Sequence, residues 1–214
     1  MTPKLHQGDL PADLKFGPCV AVDTETMGLH PHRDRLCLVQ LSAGDGDSHL
    51  VRIPPPASGR AHAAPNLAAL LGDPAVLKLF HFARFDIAAL RHGLGVVAQP
   101  VYCTKTASRL VRTFTDRHGL KDLCKDLIGI ELKKEQQTSD WGAPELTQEQ
   151  LRYAATDVVH LQSPYNTRGT RNTRNTTDGI YNSLSAAEKA ALTLRTTAAT
   201  SGYNGVIDLV VRLA

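Results

Sequence analysis

The segment Pro18-Cys-Val-Ala-Val-Asp-Thr-Glu25 most constrains how this chain can fold. An apolar run leads straight into two acids. Such a run fits a strand within a sheet and argues against an exposed edge. Side chains alternate along a strand, so Asp23 and Glu25 point to one face, about 7 Å apart. Carboxylates placed this way share hard divalent cations, or else are two solvated acids at a strand end.

The segments that follow extend the sheet. Residues 35–42 and 49–53 read as strands, with Ala43-Gly-Asp-Gly-Asp47 as the turn between them. Three strands with short connections suggest an antiparallel meander. A Pro/Ala loop (54–65) precedes a short helix at 66–71, capped by Asn66 or a close neighbour. Residues 76–80 and 100–103 are further strands, with a helix at 85–92 between them. From Thr104 the pattern turns helical. Residues 105–113 place Ala107, Leu110 and Val111 on one face. Residues 118–128 repeat Leu at 120, 123 and 127 and close at Gly129. Thr147 and Gln150 form a capping box that opens a helix through Leu161. The whole is a mixed α/β sheet flanked by helices.

Composition narrows the function classes. A chain of 214 residues fits one domain, or one domain with an appendage. No apolar run approaches the ~18 residues of a membrane span, and the N-terminus lacks the plan of a signal peptide. Four cysteines without a C-x-x-C pair speak against a disulfide scaffold or zinc ribbon and for a reducing cytosol. Cys19, Cys37, Cys103 and Cys124 read as buried small hydrophobes. Aromatics at 5% argue against recognition by a base-stacking platform. Residues 1–162 carry 18 basic and 18 acidic side chains, so the net +3 sits in the tail. A neutral main domain does not suit a long polyanion.

Two further motifs join Asp23 and Glu25. Asp86, in His81-Phe-Ala-Arg-Phe-Asp86, lies where a strand passes into a helix. Tyr153-Ala-Ala-Thr-Asp157 puts Tyr and Asp at i and i+4, on one helical face beside two small residues. Taken singly, Asp86 is as well explained by a helix dipole, and Tyr153 by core packing. Together they make four carboxylates and a tyrosine. This combination resembles the three motifs of the DEDDy 3′→5′ exonucleases, which include RNase D. It is closer still to the small nano-RNase C group, through 23–29, 32–37, 81–86, 103–106, 115–120, 139–141 and 152–157. The resemblance covers roughly residues 15–162.

The resemblance implies an RNase H-like fold and a metal site of Asp23, Glu25, Asp86 and Asp157, with Tyr153 acting beside them. Oxygen ligands favour two Mg²⁺ or Mn²⁺ ions over Zn²⁺. Phosphodiester cleavage by two cations about 3.5–4 Å apart would release nucleoside 5′-monophosphates from a 3′ end. Asp23 is the natural bridging ligand. The reference pKa of Tyr153, near 10, makes it a poor proton acceptor at neutral pH. Thr24, Met27, Gly28 and Leu29 are expected along the terminal base and ribose, with Leu29 as an apolar wedge or else a core residue. His118 and Lys121, at a helix start, contact a phosphate or serve as cap and solvated face. His81 joins the site or makes a core hydrogen bond. Trp141 is a core anchor or a base contact.

The leading expectation is therefore a cytoplasmic exoribonuclease for dinucleotides and other very short RNA, with DNA not excluded as a substrate. By resemblance it forms rings of eight subunits. The alternatives are RNase D-like trimming of RNA 3′ ends such as tRNA precursors, and a non-catalytic nucleic-acid-binding subunit. The exonuclease domain spans 1–162 and a divergent tail 163–214. Pro164 is expected to stop the last motif helix soon after Leu161. The Thr-Arg-Asn repeat at 167–176 reads as loop or disorder, with one more short helix at 183–194.

Overall fold

The structure, a computed structural model, describes residues 3–30, 32–55, 62–132 and 139–166. The repeat and the helix expected in the tail lie outside the described residues. In chain order the elements are β1 (Lys4–Gln7), β2 (Cys19–Thr26), β3 (Leu36–Ser42), β4 (His49–Arg52), α1 (Pro65–Gly72), β5 (Leu77–Phe80), α2 (Ala83–Leu94), β6 (Val101–Cys103), α3 (Thr104–Val111), α4 (Leu120–Ile128) and α5 (Gln148–Asn166). The six strands form one mixed sheet in the order β1-β4-β3-β2-β5-β6.

The strand β2 is central, as its apolar run requires. It pairs antiparallel with β3 and parallel with β5, and β3 pairs antiparallel with β4. The meander is therefore as expected. Alternation splits β2 between two cores. Val20 and Val22 pack with Leu67, Leu71 and Leu90 of α1 and α2. Cys19 and Ala21 pack with Val158 and Leu161 of α5. On this second face of the sheet Trp141, Leu151 and Ala154 also close over Leu38 and Leu50. Ala154 and Ala155 are both buried, so α5 lies close to the strands.

Several local expectations hold. The N–H of Gln150 reaches Thr147 Oγ1 at 3.2 Å, and the N–H of Thr147 reaches Gln150 Oε1 at 2.8 Å, a complete capping box. Gly129 ends α4 with φ 72°, a left-handed value that glycine adopts without strain.

Others are corrected. The α1 helix starts at Pro65, and Asn66 does not cap it. The carboxylate of Asp9 accepts the N–H groups of Asn66 (3.0 Å) and Leu67 (2.9 Å) from a distant part of the chain. The amide side chain of Asn66 instead donates to Leu10 O at 2.8 Å. In α3 Ser108 is buried, while Leu110 is exposed. The α5 helix runs through Pro164 to Asn166. Proline removes one donor and crowds one carbonyl, a cost that a final turn can bear. The edge strand β1, parallel to β4, has no counterpart in the reading of the sequence. Cys103 is half-buried, whereas the other three cysteines are buried.

Candidate active site

The parity of β2 sends its two acids to one face and Thr24 to the other. Asp23 and Glu25 continue the face of Cys19 and Ala21, the face covered by α5, and there they meet Asp157. Carboxylate oxygens of Asp23, Glu25 and Asp157 lie within 4.8 Å of one another. Thr24 points to the other face, where its hydroxyl donates to Asp86 Oδ1 at 2.7 Å. Asp86 sits buried in the first turn of α2, outside that close trio.

These groups share one cleft of about 690 Å³. It is lined by Asp23, Thr24, Glu25, Asp86, Tyr153 and Asp157. Its rim includes Met27, Gly28, Leu29, His81 and Lys121. Leu29 is 77% exposed, so it projects into the cleft mouth and is no core residue. His81 lines the cleft while its Nδ1 lies 2.9 Å from Thr104 Oγ1. Trp141 lines the cleft although it is largely buried, its ring centroid 6.2 Å from that of Tyr153. His118 is the expected site residue that the cleft does not include. It is buried, with Nδ1 2.8 Å from Ser108 Oγ. A hydroxyl one helix away thus partners that ring nitrogen.

Electrostatics set this cluster apart. Burial, then the charges of Asp86, Glu25 and Asp157, push the Asp23 carboxyl well above the usual range. Glu25 is pushed up to about 9 by burial, then by Asp157 and Asp86. Burial raises Asp86 to about 7, with the Thr24 hydrogen bond opposing it. No cation is among the influences on these three acids. Unpaired buried carboxylates are costly unless a metal compensates them. A close trio of hard oxygen donors, mutually repelling, therefore fits a divalent cation. Tyr153 donates a hydrogen bond to Asp157, and burial plus the acids hold its hydroxyl far above the ordinary phenol value. It stays protonated at neutral pH.

Three contributors escaped the motif reading. Gln40, fully buried in β3 opposite Asp23, directs its Nε2 at Glu25 Oε1 (3.4 Å). Its signal was a lone amide in an otherwise apolar strand. Phe82 and Lys105 also line the cleft. Phe82 lies inside a quoted motif, but nothing in its residue type marks it.

Comparison with known proteins agrees with this geometry. A family model described as 3'-5' exonuclease matches residues 7–165. Ribonuclease D of Granulibacter bethesdensis is 36% identical over 154 residues, which cover 72% of this chain and 38% of that protein. This chain thus spans little more than a third of the length of that relative. Among solved structures, Brucella melitensis NrnC bound to pGG is 52% identical with a TM-score of 0.70, covering 76% of this chain and 77% of the other. The same protein with bound Mg²⁺ is 50% identical with a TM-score of 0.69, again over 76% and 77%. A family match over most of the chain, joined to the same fold at half-identical sequence, places the protein: it belongs to the 3′–5′ exonuclease family and is RNase D-like.

Proposed function

We propose that the protein is a divalent-metal-dependent 3′→5′ exoribonuclease that degrades dinucleotides and other very short RNA to nucleoside 5′-monophosphates. The observation that carries this reading is the trio Asp23, Glu25 and Asp157 at the floor of a cleft lined by Tyr153. Asp23, Glu25 and Asp157 would hold Mg²⁺ or Mn²⁺, with Asp86 completing a set for two ions. The chemistry such cations supply is charge to polarise the scissile phosphate and to acidify water.

The chain's own groups do the rest. Asp23 is central, since it feels Asp86, Glu25 and Asp157 alike. Thr24 orients Asp86, and Gln40 orients Glu25. The protonated hydroxyl of Tyr153 donates; it orients a water or a phosphate oxygen rather than removing a proton. Leu29 and Met27 offer apolar surface to a terminal base, and Lys121 offers a cation at the rim. A short substrate is supported by the size of the cleft and by the likeness to NrnC, of which one structure holds pGG.

RNase D-like trimming of longer RNA is a second reading, favoured by the curated relatives. A length series from 2 to 20 nucleotides, run with Mg²⁺ on RNA and DNA, separates the two. Highest kcat/KM on the dinucleotide supports the proposal; preference for the longest RNA supports trimming.

A further inference from the structure

Phe82 is the one non-glycine residue with positive φ (73°) among the described residues. Bulky side chains avoid this region, and such strain persists where the surroundings over-determine it. Phe82 precedes α2 and makes no side-chain cap there. Its ring is 44% exposed, yet it borders the cleft that holds the acids. The sheet register explains its neighbour. Phe80 of β5 pairs with Cys103 of β6, so the two strands end side by side and the starts of α2 and α3, where Phe82 and Lys105 sit, lie close together. Lys105 Nζ stands 4.2 Å from the centre of the Phe82 ring. A cation over one ring face holds the ring in place. Lys105 lines the same cleft and makes no ion pair with another described residue.

We propose that Phe82, backed by Lys105, is the seat for the nucleotide on the 5′ side of the scissile bond. This deepens the exonuclease reading and rests on it. Leu29 and Met27 serve the 3′-terminal nucleotide. Phe82 offers its ring to the base before it, and Lys105 brings a second positive charge, beside Lys121, to a cleft whose floor is acidic. Stacking is indifferent to base identity, because every base has a π-face, so the seat predicts little sequence preference at that position. A single ring suits a substrate of two nucleotides rather than a long strand.

The test compares two substrates with Mg²⁺: a diribonucleotide, and the p-nitrophenyl ester of a nucleoside 5′-monophosphate, which has no upstream base. Phe82→Gly removes the ring yet accepts the positive φ, so the fold keeps its local backbone. Phe82→Trp restores an aromatic face. Lys105→Met keeps the alkyl chain and loses the charge. The expected result is a fall of about tenfold in the dinucleotide-to-ester ratio of kcat/KM for Phe82→Gly. It should appear mainly in KM, with a smaller fall for Lys105→Met and recovery in Phe82→Trp. Equal losses on both substrates, or no loss, overturn the seat. Failure of the wild-type protein to cleave either substrate overturns the exonuclease reading instead.

Discussion

Glu25→Gln should make the metal-free protein more stable while removing its activity. In the native state Glu25 is pushed up to about 9 from 4.5 by burial and by Asp157 and Asp86. A carboxyl raised in this way keeps its proton longer in the folded chain than in the unfolded one. Its ionisation therefore costs native stability as pH rises from about 4.5 towards 9. Between 4.5 and pH 7.5 the ceiling is about three units, or ~4 kcal/mol at ~1.4 kcal/mol per unit. Solvent reaching this half-buried group screens much of that, leaving about 1–2 kcal/mol. Glutamine removes the charge and keeps a carbonyl oxygen for Gln40. For a domain of this size, ~1–2 kcal/mol raises Tm by about 3–6 °C. Thermal melts in EDTA should show that gap at pH 7.5 and narrow it strongly at pH 5, where the unfolded chain also begins to hold this proton. With Mg²⁺ the order should reverse, since only the wild type gains from binding. A variant that melts below wild type in EDTA at pH 7.5, or a gap that ignores pH, refutes the reasoning.

Asp9→Ala removes the remote cap of α1, so it should cost about 1–2 kcal/mol. A urea melt checks this, with Asp9→Asn keeping most of the stability. A β-carbon at Gly28 would collide with the Asp34 carboxylate, which also holds the His30 N–H at 3.0 Å. Gly28→Ala should therefore displace the loop that presents Leu29 and raise KM severalfold with a smaller change in Tm; steady-state kinetics beside a melt decide it. His6 Nε2 and His49 Nδ1 lie 3.0 Å apart and share one proton at the β1 edge. Burial first, then Lys4 for His6, and His6 and Lys4 for His49, push both rings below 6.5, with Asp47 and Asp45 opposing this at His49. The unfolded chain thus takes up protons first as pH falls below 6.5, and stability is lost in that direction. Amide exchange in residues 4–7 should quicken between pH 7.5 and 5.5, once corrected for intrinsic rates. An unchanged edge contradicts the pairing.

Much of the site could be read from the chain because its acids follow local rules. The alternation of β2 settles which face Asp23 and Glu25 share, and the i, i+4 spacing puts Tyr153 and Asp157 together. The capping box of α5 and the glycine end of α4 are likewise local. What stayed hidden depends on contacts distant in sequence. Lys4–Gln7 is short, polar and mostly exposed, so no pattern marks it as a strand; only pairing with β4 makes it one. Asp9 caps a helix more than fifty residues away. His118 looks like a helix-start anion contact until Ser108 of α3 is placed beside it. Leu110 fits an inward stripe, but the neighbours that α3 meets leave it exposed. The left-handed backbone of Phe82 is invisible in its residue type.

The central claim is that the carboxylate cluster is a metal-dependent exonuclease site. Its most direct test is hydrolysis of a diribonucleotide followed by chromatography of the products, for the wild type and Asp23→Asn, with Mg²⁺ and with EDTA. The account predicts nucleoside 5′-monophosphate from the wild type with Mg²⁺ alone, and at least a thousandfold loss in the variant. Cleavage that persists in EDTA, or survives in Asp23→Asn, contradicts it.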